Sequence, residues 1–284
     1  MAILSIQSHV AYGHVGNRSA VFPLERLGFE VWPINTVQFS NHTGYGAWKG
    51  EVFTPEHIDL VWNGMKERGA AADCEAVLSG YMGDPGIGES VLRALADVRA
   101  ANPGALYCCD PVMGDYGRGF FVRPGIPEFM KSRAIPAADL IKPNQFEAEA
   151  LTGMTIRTLA DARRACSILH DMGPGLVLLT SFKPEFGEDG YISMLLSDRG
   201  TLYRVRTPEL PLVPAPNGAG DLVSALFLGQ YLKTGNPQAA LELMADSVYS
   251  VFERSFADGS RELRLVQSQD SFVSGGRRFA AEAL

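Results

Sequence analysis

Residues 76–80 read Ala76-Val77-Leu78-Ser79-Gly80, residues 86–101 carry a helical pattern, and residues 106–111 read Leu106-Tyr107-Cys108-Cys109-Asp110-Pro111. Two short apolar runs joined through a helix of this length mark a βαβ crossover, which sets the two strands side by side in parallel. Each run stops on a polar side chain directly before a Gly or a Pro. Polar endings recur outward along the chain: Ser8 closes the apolar run Ala2–Ser8, Lys142 stands before Pro143 after Asp139–Ile141, and Thr180-Ser181 closes Leu176–Thr180. In an open parallel sheet ligands bind beyond the carboxyl ends of the strands. Ser8, Ser79, Asp110, Lys142 and Thr180 are therefore expected around one crevice.

The remaining pattern extends this frame. Helices are expected over Asn17–Leu27, Pro55–Arg68, Thr158–Asp171, Ala219–Leu232 and Pro237–Phe252, and from about Asn144. Pro at a first helical turn supports the second of them. Phe29–Val37 is a further strand, and Tyr191–Leu196 with Leu202–Arg206 read as an antiparallel pair. Ser40–Gly46 is a polar loop. Gly114–Gly119 is expected as a flap and Thr207–Pro216 as a long loop beside the crevice. With no repeat, low-complexity segment or linker, residues 1–284 are expected to form one domain.

Composition narrows the function. The 284 residues hold 25 Lys and Arg against 32 Asp and Glu, a formal charge of −7, with 46% apolar and 20% charged residues. Those shares are ordinary for a globular protein, and a mildly acidic chain lacks the basic face of a nonspecific nucleic-acid binder. No stretch approaches the roughly 18 apolar residues of a membrane span, and Ala2–Ile6 is too short for a signal peptide. Cys74, Cys108, Cys109 and Cys166 form no CxxC pair, so a reducing, cytoplasmic setting is expected.

The common phosphate and hydrolase signatures are absent: there is no Walker A loop, no GxGxxG after the first strand, no HExxH and no GxSxG. What stands out is Asn217-Gly218-Ala219-Gly220-Asp221 at a helix start. Small residues there leave backbone N–H groups pointing outward, and with the helix dipole they form an anion site. Asp221 beside such an anion is suited to accept a hydroxyl proton during phosphoryl transfer; read alone, the stretch also fits a surface helix capped by Asp. Asn144 and Glu147 share one helical face and could hold Mg²⁺ through its waters, or they could form a capping box. Asp110 and Asp115 bracket a turn and could share magnesium and phosphate duties, as Asp and Gly also do in plain turns. The five histidines fit no zinc-ligand spacing.

These motifs carry a family likeness. Ser5-Ile6-Gln7-Ser8-His9-Val10 with Val15-Gly16-Asn17-Arg18 resembles the start of pyridoxal kinases. The same holds for Val37–Tyr45, Ser79-Gly80-Tyr81, Cys109–Asp115, Pro143–Glu149, Gly218–Asp221 and the tail Glu262–Ser268, in the same order along nearly the whole chain. The NxxE and GxGD elements are general to the ribokinase-like superfamily. The resemblance implies a three-layer α/β sandwich, with a central mostly parallel sheet flanked by helices, and a homodimer. It implies transfer of the ATP γ-phosphoryl group, with Mg²⁺, to the 5′-hydroxymethyl group of pyridoxal in vitamin B6 salvage, without nucleic-acid or membrane partners. Ser8 and Thr43 would then bond the polar edge of the pyridine ring, and His42, Gly44 and Tyr81 would shape its pocket. Asp221 would be the general base, with Gly218, Ala219 and Gly220 as the anion hole. Asp110, Lys142, Asn144, Glu147, Thr180 and Ser181 would serve ATP, with Asp110, Asp115 and Glu147 nearest the metal. The resemblance extends the flap to Gly114–Val122.

Two positions depart from the family pattern. Ala219 stands where Thr is common, which removes one hydroxyl from the phosphate. Lys142 stands where relatives carry a small or hydroxyl residue, beside a monovalent-cation position. Its ammonium is expected to replace that cation, unless the side chain points to solvent. The competing functions are a kinase for another hydroxymethyl heterocycle, such as hydroxymethylpyrimidine, and a noncatalytic carrier of the B6 vitamer.

Overall fold

The computed structural model describes residues 2–184 and 190–284. In chain order its elements are β1 (Ala2–Val10), α1 (Asn17–Arg26), β2 (Glu30–Phe39), β3 (Gly50–Val52), α2 (Pro55–Lys66), α3 (Ala70–Asp73), β4 (Cys74–Ser79), α4 (Pro85–Ala101) and β5 (Leu106–Cys109). Then come β6 (Gly114–Asp115), β7 (Gly119–Phe120), α5 (Ile126–Phe129), α6 (Ile135–Ala137), β8 (Leu140–Ile141), α7 (Gln145–Thr152), α8 (Leu159–Asp171) and β9 (Leu176–Phe182). The last third holds β10 (Tyr191–Asp198), β11 (Thr201–Pro208), α9 (Ala219–Thr234), α10 (Pro237–Ala257), α11 (Asp270–Val273) and β12 (Glu282–Ala283).

Ten strands form one sheet in the order β12-β11-β10-β9-β8-β5-β4-β1-β2-β3. The six strands from β9 to β2 pair in parallel. The two margins, β10-β11-β12 and β3, are antiparallel. The expected fold class is therefore observed. The chain leaves β1 for β2 on one side and returns to β4 on the other, so β1 is the topological switch point, the place where open α/β sheets bind ligands beyond the strand ends.

Alternation along the strands builds two cores. Leu4, Ile6, Val77, Tyr107 and Cys109 point to one face, under α2, α4, α7 and α8; Ile3, Ala76, Leu78 and Cys108 point to the other, under α1, α9 and α10. Cys108 and Cys109 are buried and free, as small apolar residues. Leu222–Gln230 of α9 is buried all round, as expected of a helix without a polar face. This fixes the start of α9 at the crevice.

Several local readings need correction. Residues 126–137 form α5, a π-helical turn over Met130–Ala134 and α6; Pro127 and Pro136 hid this helical segment. The long loop expected from Thr207 begins later, because β11 absorbs Thr207 and Pro208. The glycine flap is itself a two-stranded hairpin, β6-β7. Among the described residues no helix is long and apolar enough to cross a membrane.

Candidate active site

The start of α9 is built by close approaches that only glycine allows. Gly218 caps the helix at φ 84°, and a Cβ there would lie 1.8 Å from the His14 carbonyl oxygen. Ser19 Oγ donates to the Gly218 carbonyl at 2.9 Å. Asp221 is thus in the first helical turn and is not the cap. Its Oδ2 accepts the Gly16 N–H at 2.7 Å. Gly16 is pressed onto β1, since a Cβ on it would sit 2.4 Å from Ser8 Oγ. Asp221 is therefore tied to the strand end that carries Ser8. The carboxylate is buried, and that burial, reinforced by the nearby Asp110 charge, pushes its pKa up to about 6 against the opposing pull of the Gly16 N–H and Lys142.

Lys142 turns inward. It is 4% exposed, and its Nζ lies 2.9 Å from Asp110 Oδ2. A Cβ on Gly220 would come within 2.9 Å of that ammonium, so the charge abuts the small-residue helix start. Burial works against the charged form, but Asp110, Glu147 and Asp221 together hold the Lys142 pKa above its ordinary value. Asp110 is wholly buried; its Oδ2 also accepts from Ser224 Oγ at 2.8 Å. Its Oδ1 is buried without a hydrogen-bond partner.

Asn144 and Glu147 form the capping box: Glu147 N–H donates to Asn144 Oδ1, and Asn144 N–H donates to Glu147 Oε2, both at 2.9 Å. The pair does more than cap α7. Glu147 Oε1 accepts from Met113 N–H at 2.9 Å, and Asn144 Nδ2 donates to the Gly114 carbonyl at 2.9 Å. The helix start thereby holds the root of the hairpin flap. Burial raises the Glu147 pKa, while Lys142 and the two N–H donors oppose the shift. Asp115 lies in the hairpin, paired with Arg118. Thr180 N–H donates to the Pro143 carbonyl at 2.9 Å, and Ser181 follows in the left-handed region at φ 56°. A non-glycine residue in that region is costly and clusters at functional sites.

The other wall is the loop after β2. Gly44 N–H donates to His42 Nδ1 at 3.0 Å, and a Cβ on Gly44 would meet Asn217 Nδ2 at 3.8 Å. This brings the loop of His42, Thr43 and Gly44 to the α9 start. Thr43 is exposed there, and burial lowers the His42 pKa. Tyr81 packs with Val10, Val15, Val37, Phe39 and Val52 as an aromatic wall.

The donor set fits a magnesium ion that arrives with phosphates. Asp110 offers an orphaned oxygen, whereas both Glu147 oxygens already accept N–H groups. Among the described residues no group of three or more His, Cys, Asp or Glu forms a ready cage. Magnesium usually keeps waters and shares one or two carboxylates with substrate phosphates. Sequence reading missed Ser224, which lies three residues after Asp221 on the same helical face; a Ser inside an apolar helix was its signal.

Comparison with known proteins shows the family. The phosphomethylpyrimidine kinase family model matches residues 54–264. The pyridoxal kinase PdxY of Rubrobacter xylanophilus is 56% identical over 278 residues, covering 98% of this chain and 95% of that protein. That of Granulibacter bethesdensis is 52% identical over 286 residues, covering 99% of each. The solved pyridoxal kinase of Leishmania donovani, in complex with ADP and pyridoxamine, is 30% identical with a TM-score of 0.93, covering 100% of this chain and 99% of that one. Identity of this order along almost the entire length, on a fold that superposes throughout, makes the chain a member of the pyridoxal kinase family, ribokinase-like in architecture.

Proposed function

We propose that the protein transfers the γ-phosphoryl group of ATP to the 5′-hydroxymethyl oxygen of pyridoxal in vitamin B6 salvage. The observation that carries this reading is Asp221: a buried carboxylate at a glycine-built helix start, tied through Gly16 to the end of β1 and facing the Lys142–Asp110 pair. The alcohol oxygen attacks the γ-phosphorus, the bond from that phosphorus to the β,γ-bridging oxygen breaks, and Asp221 takes the hydroxyl proton. ADP and the phosphate ester leave. Phosphoryl transfer asks mainly for positioning and charge neutralisation, and the N–H groups of Gly218, Ala219 and Gly220 suit the second task.

Ser8 and Thr43 bind the polar edge of the ring, with His42, Gly44 and Tyr81 around it. Asn144, Thr180 and Ser181 serve the nucleotide. Asp110 and Glu147, with Asp115 on the flap, would hold a magnesium ion, which would supply charge neutralisation for the phosphates. The Lys142 ammonium beside Asp110 stands in for the monovalent cation, so turnover does not depend on K⁺. The hairpin over 114–122 closes on ATP and excludes water. The working form is a cytoplasmic homodimer.

The phosphomethylpyrimidine kinase match over residues 54–264 favours one second reading, a kinase of hydroxymethylpyrimidine. A coupled ADP-release assay with pyridoxal, pyridoxine, pyridoxamine and hydroxymethylpyrimidine separates the two. Pyridoxal is expected to be phosphorylated; turnover confined to the pyrimidine overturns the reading. Pyridoxal binding without any turnover would instead identify a carrier.

A further inference from the structure

The segment after α10 reaches both loops that frame the acceptor side of the site. Leu263 and Leu265 are buried in the core shared by α9 and α10, and Arg264 N–H donates to Ser255 Oγ at 3.0 Å, so the segment is anchored to α10. From that anchor Glu262 projects to the loop between β1 and α1. Its Oε2 accepts the His14 N–H at 3.1 Å, and a Cβ on Gly13 would lie 2.3 Å from the same oxygen. Glu262 Oε1 accepts the Tyr45 hydroxyl. Burial and this bond push the Tyr45 pKa up to about 12, so the hydroxyl stays a donor. Arg261 adds a second tie: its Nη2 donates to the Gly44 carbonyl at 3.0 Å, and its guanidinium lies 3.8 Å from the Tyr45 ring centroid, within cation–π range.

We propose that Glu262 and Arg261 are positioning residues that lock the Thr43–Tyr45 loop to the Gly13–Gly16 loop and so set where the acceptor alcohol lies relative to Asp221. The connection is short. Glu262 holds His14 N–H, the His14 carbonyl packs on Gly218, and Gly16 N–H holds Asp221. Neither residue is placed to touch the transferred phosphate; each acts through backbone that does frame the reacting groups. Arg–carbonyl and carboxylate bonds of this type fix geometry because charge-assisted bonds are short and strong.

This inference rests on the pyridoxal kinase reading, and its test uses the full chain. Glu262→Ala and Tyr45→Phe are each expected to lower kcat/KM for pyridoxal by about 10- to 100-fold, the usual cost of slight misplacement, with KM for ATP unchanged. The double variant should be no worse than Glu262→Ala, since the two act as a unit. Glu262→Gln, which keeps an acceptor for His14 N–H, should restore most of the activity. Parallel loss of ATP and pyridoxal affinity, additive losses, or unchanged constants would overturn the proposal. If Glu262→Ala fails to fold, Tyr45→Phe removes a single hydroxyl and carries the test. If the native protein phosphorylates no B6 vitamer, the kinase reading fails but the lock is still read by amide exchange. Glu262→Ala must then speed exchange at His14 and Tyr45, and unchanged rates sink it.

Discussion

At the scale of single residues, four charged groups share one buried spot: Asp110, Lys142, Glu147 and Asp221 are 0%, 4%, 2% and 8% exposed. Their mutual fields set when Asp221 is ionised. With its pKa raised to about 6, kcat/KM for pyridoxal should fall as the pH drops through that value, because protonated Asp221 cannot accept the hydroxyl proton. Lys142 favours the ionised form, so Lys142→Met should move this acid limb upward; Asp110→Asn, which removes a repelling charge, should move it downward. An acid limb unaffected by both variants would separate Asp221 from the cluster. The ammonium of Lys142 also predicts native turnover that is indifferent to K⁺; strong K⁺ activation in an initial-rate assay would reject its role as a resident cation. The direction of Lys142 was not legible in the sequence. A four-carbon stem at a strand end can reach water or the protein interior, and the buried Asp110 carboxylate, which the fold brings beside it, decides between them. Asp221 was legible only as one of two uses of a carboxylate at a helix start, a cap or a base; the structure puts Gly218 at the cap and Asp221 in the first turn, which removes the first of them.

Secondary-structure elements show one motif serving two purposes. The Asn144–Glu147 box caps α7 and also holds Met113 and Gly114 at the flap root. Asn144→Ala should therefore cost about 1 kcal/mol in urea unfolding, the usual loss of a cap, and should also raise KM for ATP. A stability loss with unchanged KM would reduce the box to a cap. The parallel strands were readable because short apolar runs alternate with helical patterns and several of them end on a polar residue, directly before Gly or Pro at Ser79, Asp110 and Lys142. The helical segment over 126–137 was not, since Pro127 and Pro136 stand where they interrupt the apolar period. Margin strands β3 and β12 are too short to carry a pattern. The Glu262 contacts were invisible for another reason: they join residues 217 and 248 positions apart, and local periodicity carries no record of such pairs.

On the scale of the whole molecule, the β1 switch point gathers elements from both ends of the chain around one crevice. The Ser8 strand, the α9 start and the segment after α10 are contiguous there, although sequence separates them widely. A homodimer predicts a light-scattering mass twice the 30.7 kDa of the chain; the mass of one chain would refute that part of the account. The central claim is that Asp221 takes the proton of the acceptor alcohol, and single-turnover kinetics of Asp221→Asn alongside direct pyridoxal binding tests it most directly. The account predicts a fall in the transfer rate of about 10²–10⁴-fold, the range for a lost general base, with pyridoxal affinity retained. A variant that transfers phosphate at the native rate would contradict it.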